Sequence, residues 1–473
     1  MKTDAPYTNA PAHRGAGGTL RRAGILVALL AMGSGAALSA QETSLTVYQD
    51  GRVMVRRTIS LALARGTSTV SVDLGGRGAD PTSLVSLDDG VEVRGVVVSA
   101  ATGVEGSLRR ALGREVDFLL GGDSLRFVRG TVLSLDPPAF RVAGRVLYDL
   151  PGRPAFPDSL VQLAPRAEVT VEVSRPVRAL RVAYLAQGLM WRAGYTLVAP
   201  ASGAGRGAMT GAATIENPGA LAIGGAEVQL LAGDVRRAMG PRNYAMDRAM
   251  PAPAVAMAAR GEIASEESVG ESHVYTLPGT VDFVPGTSRT VALFARAAPQ
   301  VERSFAFRAS GMGHLQQWRA PEQDLHAEVT YLVRRPAGTP FGDTSLPAGV
   351  VRVLVPDSAG RVQLLGEVPI PHTPAGRELK LATGTAFDIT AQRTQLTFVQ
   401  QGRRQVEVAY RVQIQNAKDD SATVQVYDEF PGQWEVLSST VRPERLSSTS
   451  VRFSVPVAAA GEATLEYRVR VQW

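Results

Sequence analysis

The sequence predicts a mainly β protein, built as several antiparallel β-sandwiches with a small β-barrel-like insertion. Three observations carry this. Apolar and polar residues alternate with period two along much of the chain, turn residues break these runs at short intervals, and 473 residues exceed what one core organises. In "LEYRVRVQW", for example, Leu465, Tyr467, Val469, Val471 and Trp473 point one way while Glu466, Arg468, Arg470 and Gln472 point the other. "VEVAYRVQI" repeats the pattern with Val406, Val408, Tyr410, Val412 and Ile414.

Residues 1–40 read as a secretory signal peptide. Arg14, Arg21 and Arg22 precede the apolar run Ala23 to Met32, and small residues lead to "ALSAQ", which places cleavage near Ala40. The apolar run is too short for a permanent membrane helix, and no later segment approaches one. The expected address is therefore outside the cytoplasm, in the periplasm or associated with the cell envelope. The chain contains no cysteine, which excludes disulfides, thiolate metal sites and a lipid-modified N-terminal Cys.

The formal charge of +6 falls to +3 once residues 1–40, with four basic groups and one acid, are removed. Nearly all positive charge is Arg, since Lys2, Lys380 and Lys418 are the only lysines, and the arginines are scattered rather than clustered. Neither feature points to nucleic acid or another polyanion.

Four units follow the leader. Residues 41–104 read as an N-terminal antiparallel unit, with Asp50-Gly51 as a tight hairpin turn and Arg65-Gly66 as the next reversal. Residues 105–165 combine one short helical turn with three or four strands and read as the small barrel-like domain. Residues 166–320 form a β-sandwich interrupted at 236–270 by an Ala-, Pro-, Met- and Gly-rich mobile insertion, and residues 321–473 form a C-terminal sandwich.

The chemistry-bearing residues yield no catalytic, cofactor or metal assignment. The five histidines, His13, His273, His314, His326 and His372, are widely separated, so a metal site would require distant strands to converge. "GAGRGAMTG" has Gly-x-Gly spacing, but a strand follows it where a phosphate loop needs a helix. Met239, Met246, Met250 and Met257 offer soft ligands, yet Pro251 and Pro253 break any helix that would align them.

"VAYLAQGLMWRAGYTLV", residues 182–198, gathers Tyr184, Trp191, Arg192 and Tyr195 in a chain poor in aromatics. Two readings fit these four residues: structural anchors of a sandwich core, or a surface site for a glycan or peptide. Even spacing puts Trp191 and Tyr195 on one face and favours the core. Arg192 falls on the other face, within reach of an acid such as Glu216 or Asp234.

This block, with "ATIENPGA", "VQLLAGDVRR", "HVYTLPGTVDF", "TVALFAR" and "YRVQIQNAKDDSATVQVYDEFPGQWEVL", resembles a bacterial family known as domain of unknown function 4139, related to mucoidy inhibitor A-like proteins. The opening strands, "VYQDGRVMVRRTISLALARGTSTVSVDL", are similar to the family's own. The resemblance implies an extracytoplasmic β-fold and supplies no catalytic residues. Many members carry a coiled coil where this chain has residues 107–150.

The expected function is that of a non-catalytic structural or interaction module, contacting protein or glycan partners in the envelope. Two alternatives stand beside it. One is a polysaccharide-active enzyme using two acids from among Asp234, Asp324, Asp343, Asp357 and Asp388. The other is an outer-membrane β-barrel, suggested by the aromatic C-terminus at Trp473.

Overall fold

The computed structural model describes residues 42–76, 78–99, 101–120, 126–148, 152–163, 165–219, 221–235, 263–309 and 314–473. The expected leader with its cleavage point, and Met239, Met246, Met250 and Met257 of the expected insertion, lie outside these residues.

Two large cores organise the chain, and three sheets enclose the first. A seven-stranded sheet runs in the order Ser265–Val269, Ser272–Phe283, Ile223–Ala232, Glu42–Tyr48, Arg52–Ile59, Leu180–Gln187 and Ala79–Ser86. A five-stranded sheet contains Thr287–Ala297, Ala208–Asn217, Met190–Val198, Gly349–Pro356 and Val362–Ile370, and Gly66–Asp73, Arg166–Val173 and Val91–Ser99 form a third sheet. Alternating side chains such as Leu45, Val47, Val53 and Val55 from one sheet, and Val169, Val171 and Val173 from another, meet in one continuous core.

The strands of 41–104 therefore do not make a sheet of their own. The Asp50-Gly51 hairpin forms, with Gly51 at φ 87°, and joins Glu42–Tyr48 to Arg52–Ile59. Glu42–Tyr48 then pairs in parallel with Ile223–Ala232, Leu45 opposite Val228, and Arg52–Ile59 pairs with Leu180–Gln187. Alternation marks a strand as half-buried but does not name the partner that covers it. Parallel pairs also join Met190–Val198 to Gly349–Pro356 and Gln300–Arg308 to Ala422–Glu429, so the sheets are mixed rather than purely antiparallel.

A ten-stranded sheet wraps the second core, in the order Gln433–Ser439, Gly461–Gln472, Gln405–Asn416, Leu379–Gly402, Glu322–Val333, Gln300–Arg308, Ala422–Glu429, Ser450–Val457 and Pro443–Arg445, with Ala204–Arg206 added beside Gln300–Arg308. Three of its strands serve both cores. Leu379 and Leu381 belong to the first core and Ile389 and Ala391 to the second, while Tyr331 and Val333 lie across the same divide from Ala327, and Val301 from Phe305 and Phe307. Continuous hydrogen-bonded strands thus cross the expected boundary near residue 320.

Between Val91–Ser99 and Arg166–Val173 the chain builds a small unit. The helix Gly103–Arg110 and an antiparallel sheet ordered Arg153–Ala155, Glu115–Leu120, Arg126–Leu135, Pro138–Val142 and Arg145–Tyr148 enclose Ala111, Val116, Phe118, Val132, Phe140 and Leu160. This sheet has Arg153–Ala155 and Arg145–Tyr148 as its two edge strands. It remains open, because its edges are not paired. Among the described residues no sheet closes into a barrel, which corrects the barrel alternative raised by Trp473. The C-terminal strand pairs on both sides within the ten-stranded sheet, and Trp473 lies beyond its end, 40% exposed. Within the span 236–270 expected to be a mobile insertion, Ser265–Val269 is an edge strand.

Candidate functional site

Tyr184, Trp191 and Tyr195 lie in the first core, each no more than 1% exposed. Tyr184 and the other two do not share a sheet. At Gly188, with φ 126°, the chain passes from the seven-stranded sheet to the five-stranded one, so Leu180–Gln187 and Met190–Val198 belong to different sheets of the same core. Trp191 packs against Tyr275 with ring centroids 6.4 Å apart, and Tyr195 stacks on Phe294 at the same separation. Gly211 leaves room for that stack, since a Cβ there would come within 2.4 Å of the Phe294 ring. Arg192 emerges on the opposite face and donates to Glu216, one of the two acids expected. The three aromatics present no surface to a ligand.

Two polar sites carry acid–base groups. The first is sealed in the second core. His314 and Asp428 are both 0% exposed, with His314 Nε2 2.8 Å from Asp428 Oδ1 and His314 Nδ1 2.9 Å from the Tyr410 hydroxyl. Arg393 Nη2 donates to Asp428 Oδ2 at 2.8 Å and to the Tyr467 hydroxyl at 2.9 Å, and its guanidinium lies 4.2 Å from the Tyr410 ring centre. Tyr467 also donates to Asp428 Oδ2, and the Glu429 N–H to Oδ1. Burial pushes the Asp428 pKa up, but Arg393, His314 and the Tyr467 hydroxyl outweigh it and hold the carboxyl below its ordinary range. Burial pushes the Tyr410 hydroxyl up to about 12. Every partner of the carboxylate is part of the protein, so the arrangement locks the segment around His314 onto the sheet.

Among the described residues the second site is open, with Asp234 and His372 exposed, and lies at one end of the first core. Two core tyrosines and one buried arginine fix its floor. Tyr275 donates to the Ser345 carbonyl at 2.9 Å and Tyr195 to the Pro347 carbonyl at 2.8 Å. Arg335, 2% exposed, donates to the carbonyls of Phe341, Thr344, Pro374 and Arg377. Burial lowers the Arg335 pKa and raises those of Tyr195 and Tyr275. On this floor, Glu266 accepts the Ser345 N–H at 3.1 Å and lies 3.0 Å from His273 Nδ1, close enough for an ion pair but off the line of a hydrogen bond.

His372 Nδ1 accepts the Ala348 N–H at 3.1 Å, which fixes the neutral ring as the Nε2–H tautomer. Although His372 is exposed as a whole residue, partial burial of the ring, followed by nearby His273, lowers its pKa against the opposing pull of Asp234. Ala348 also accepts from Gln49 Nε2 at 3.3 Å, linking the imidazole to a cleft of about 350 Å³ lined by Tyr48, Gln49, Asp50, Arg52, Gly233 and Asp234 among others. Within the cleft Arg52 is held by Asp50 at 2.7 Å, by the Val235 carbonyl at 2.9 Å and over the Tyr48 ring. The Asp234 carboxylate makes no hydrogen bond or ion pair among the described residues.

This end presents an imidazole donor at His372, the Asp234 carboxylate and a largely polar cleft with one aromatic ring, Tyr48, an arrangement suited to binding a polar partner. Among the described residues no group of three or more His, Asp or Glu side chains converges as a metal site. Of the acids considered for hydrolysis, Asp343 caps the Gly338 N–H and Asp357 caps the Ala359 and Arg361 N–H groups, both as turn supports.

Sequence spacing missed both polar sites because their members come from distant segments. A usable signal was present for the sealed site. Arg393 follows Ile389 and Ala391, and Asp428 follows Val424 and Val426, on the inward parity of alternating strands, where a charge must find a buried partner. No family model matches the chain, and no curated protein matches it.

Proposed function

We propose that this chain is an exported β-protein of the cell envelope that works by contact rather than turnover, recognising a protein or glycan partner. The observation that carries the reading is the open end of the first core. There Asp234, His372 and the Tyr48 cleft face outward on a floor pinned by Tyr195, Tyr275 and Arg335. Rigid support with unspent hydrogen-bonding capacity favours recognition, because little ordering is left to oppose binding. The leader-like residues 1–40 and the sequence blocks resembling domain of unknown function 4139 support the envelope address and the family relation, which belong to the same proposal.

The test is fractionation of the native host followed by in-cell crosslinking. The expected result is a processed chain, released by carbonate or found in periplasmic extract, that forms a discrete adduct weakened by Asp234→Asn. Turnover of an envelope substrate by the purified chain, or recovery as a heat-modifiable integral membrane protein, would overturn the reading.

A further inference from the structure

The small unit between Val91–Ser99 and Arg166–Val173 exposes a largely apolar edge strand. All four residues of Arg145–Tyr148 are exposed, and three are apolar: Val146 at 50%, Leu147 at 39% and Tyr148 at 71%. Natural sheet edges carry features that discourage pairing. Here Arg153–Ala155 contains Pro154, Ala79–Ser86 contains Pro81 and a register shift, Val362–Ile370 contains Pro369, and Ser265–Val269 carries two glutamates. Arg145–Tyr148 has no proline, no acid and an uninterrupted register with Pro138–Val142.

The hairpin decides which backbone groups of this strand are free. Val142 opposes Arg145 across a two-residue loop in which Ala143 and Gly144 both have positive φ, 47° and 79°. Such a loop makes Val142 and Arg145 a hydrogen-bonded pair, so by alternation Phe140 and Leu147 form the next such pair. The N–H and C=O groups of Val146 and Tyr148 therefore point away from the sheet.

An incoming antiparallel strand must oppose outward-pointing residues with outward-pointing residues. Pairing this strand with itself about an axis through Leu147 satisfies that rule: Val146 meets Tyr148 of the other strand twice, and Leu147 meets its own counterpart. All three cross-strand pairs are apolar, whereas an axis through Val146 would set Arg145 against Leu147 and Tyr148 against Gly144.

We propose that Arg145–Tyr148 pairs antiparallel with the same strand of a second copy, on a two-fold axis through Leu147. This rests on the contact reading above and names one of the contacts. The sheets of two small units then continue across the axis.

The absence of cysteine gives a direct test on the full chain. Leu147 and its counterpart form a non-hydrogen-bonded antiparallel pair with Cα atoms about 4.5 Å apart, inside the range a disulfide needs. Leu147→Cys is expected to give, on mild oxidation, about tenfold more disulfide-linked dimer than Val146→Cys, whose two thiols lie two positions out of register. Val146→Pro removes an outward N–H without touching the bonds to Pro138–Val142, and is expected to leave a folded monomer by light scattering. Equal crosslinking at 146 and 147, or a dimer that survives Val146→Pro, would overturn the pairing. A chain that is monomeric in every form yet still forms its adduct in the host envelope would also overturn it, while leaving the contact function in place.

Discussion

Two histidines in this molecule each face a carboxylate, and their surroundings give them opposite roles. His314 and Asp428 are sealed beneath the ten-stranded sheet, with Arg393, Tyr410 and Tyr467 filling the remaining hydrogen-bond positions. His273 and Glu266 sit at an open end beside His372, Asp234 and a cleft. Residue type alone would rank the sealed pair as the better catalytic candidate, because an Asp–His contact is a familiar activating arrangement. Burial reverses the ranking by access: His314 and Asp428 are fully enclosed, whereas the side chains of His273 and Glu266 are 37% and 22% exposed.

The largest expected effects lie inside the cores. Asp428→Asn leaves buried Arg393 with only the half-exposed Glu322, 3.9 Å away, as an anion and is expected to cost about 4 kcal/mol in denaturant unfolding. Trp191→Ala should cost a similar amount, about 4 kcal/mol, by opening a cavity. A cost below 1 kcal/mol for Trp191→Ala would return that residue to the list of binding candidates. His314→Ala should cost about 3 kcal/mol, by combining a cavity with lost partners for Asp428 and Tyr410.

The sealed pair also predicts a pH dependence. The Asp428 pKa is depressed in the folded state, so its contribution is present above the ordinary carboxylate range and is lost as pH falls through the folded value. The stability gap between the parent chain and Asp428→Asn should therefore narrow on acidification from pH 7 to about 3. A gap that widens would show that the carboxyl is protonated in the fold.

Effects at the surface are smaller. Arg192→Ala breaks an exposed pair with Glu216 and should cost roughly 0.5 kcal/mol. At the open end the readout is titration by NMR rather than stability. His273 lowers the His372 pKa and Asp234 raises it, so His273→Gln should move the His372 midpoint up and Asp234→Asn should move it down. Shifts in the opposite directions would separate these groups and dissolve the site.

Alternation made much of the fold legible. Leu465, Tyr467, Val469 and Val471 are buried as the period-two pattern requires, whereas Trp473 is not, because the strand ends at Gln472 and leaves it without a facing layer. The parallel contact of Leu45 with Val228 was not legible, since nothing local to either strand names a partner 183 residues away. The shared buried face of Trp191 and Tyr195 could be read from even spacing, but the switch of sheets at Gly188 could not. The polar sites were hidden because His314 and Asp428 lie 114 residues apart. Even so, a charged residue on the inward parity of a strand, as at Arg393 and Asp428, was a signal available without a structure.

The most direct test sets the sealed His314 against His372, the imidazole of the exposed end, in the native host, reading thermal unfolding and envelope crosslinking for His314→Gln and His372→Gln in parallel. The account predicts that His314→Gln lowers the melting temperature by several degrees, while its folded fraction still forms the adduct, and that His372→Gln melts like the parent chain and forms less adduct. Loss of the adduct in folded His314→Gln, with His372→Gln unaffected, would contradict it and move the function into the second core.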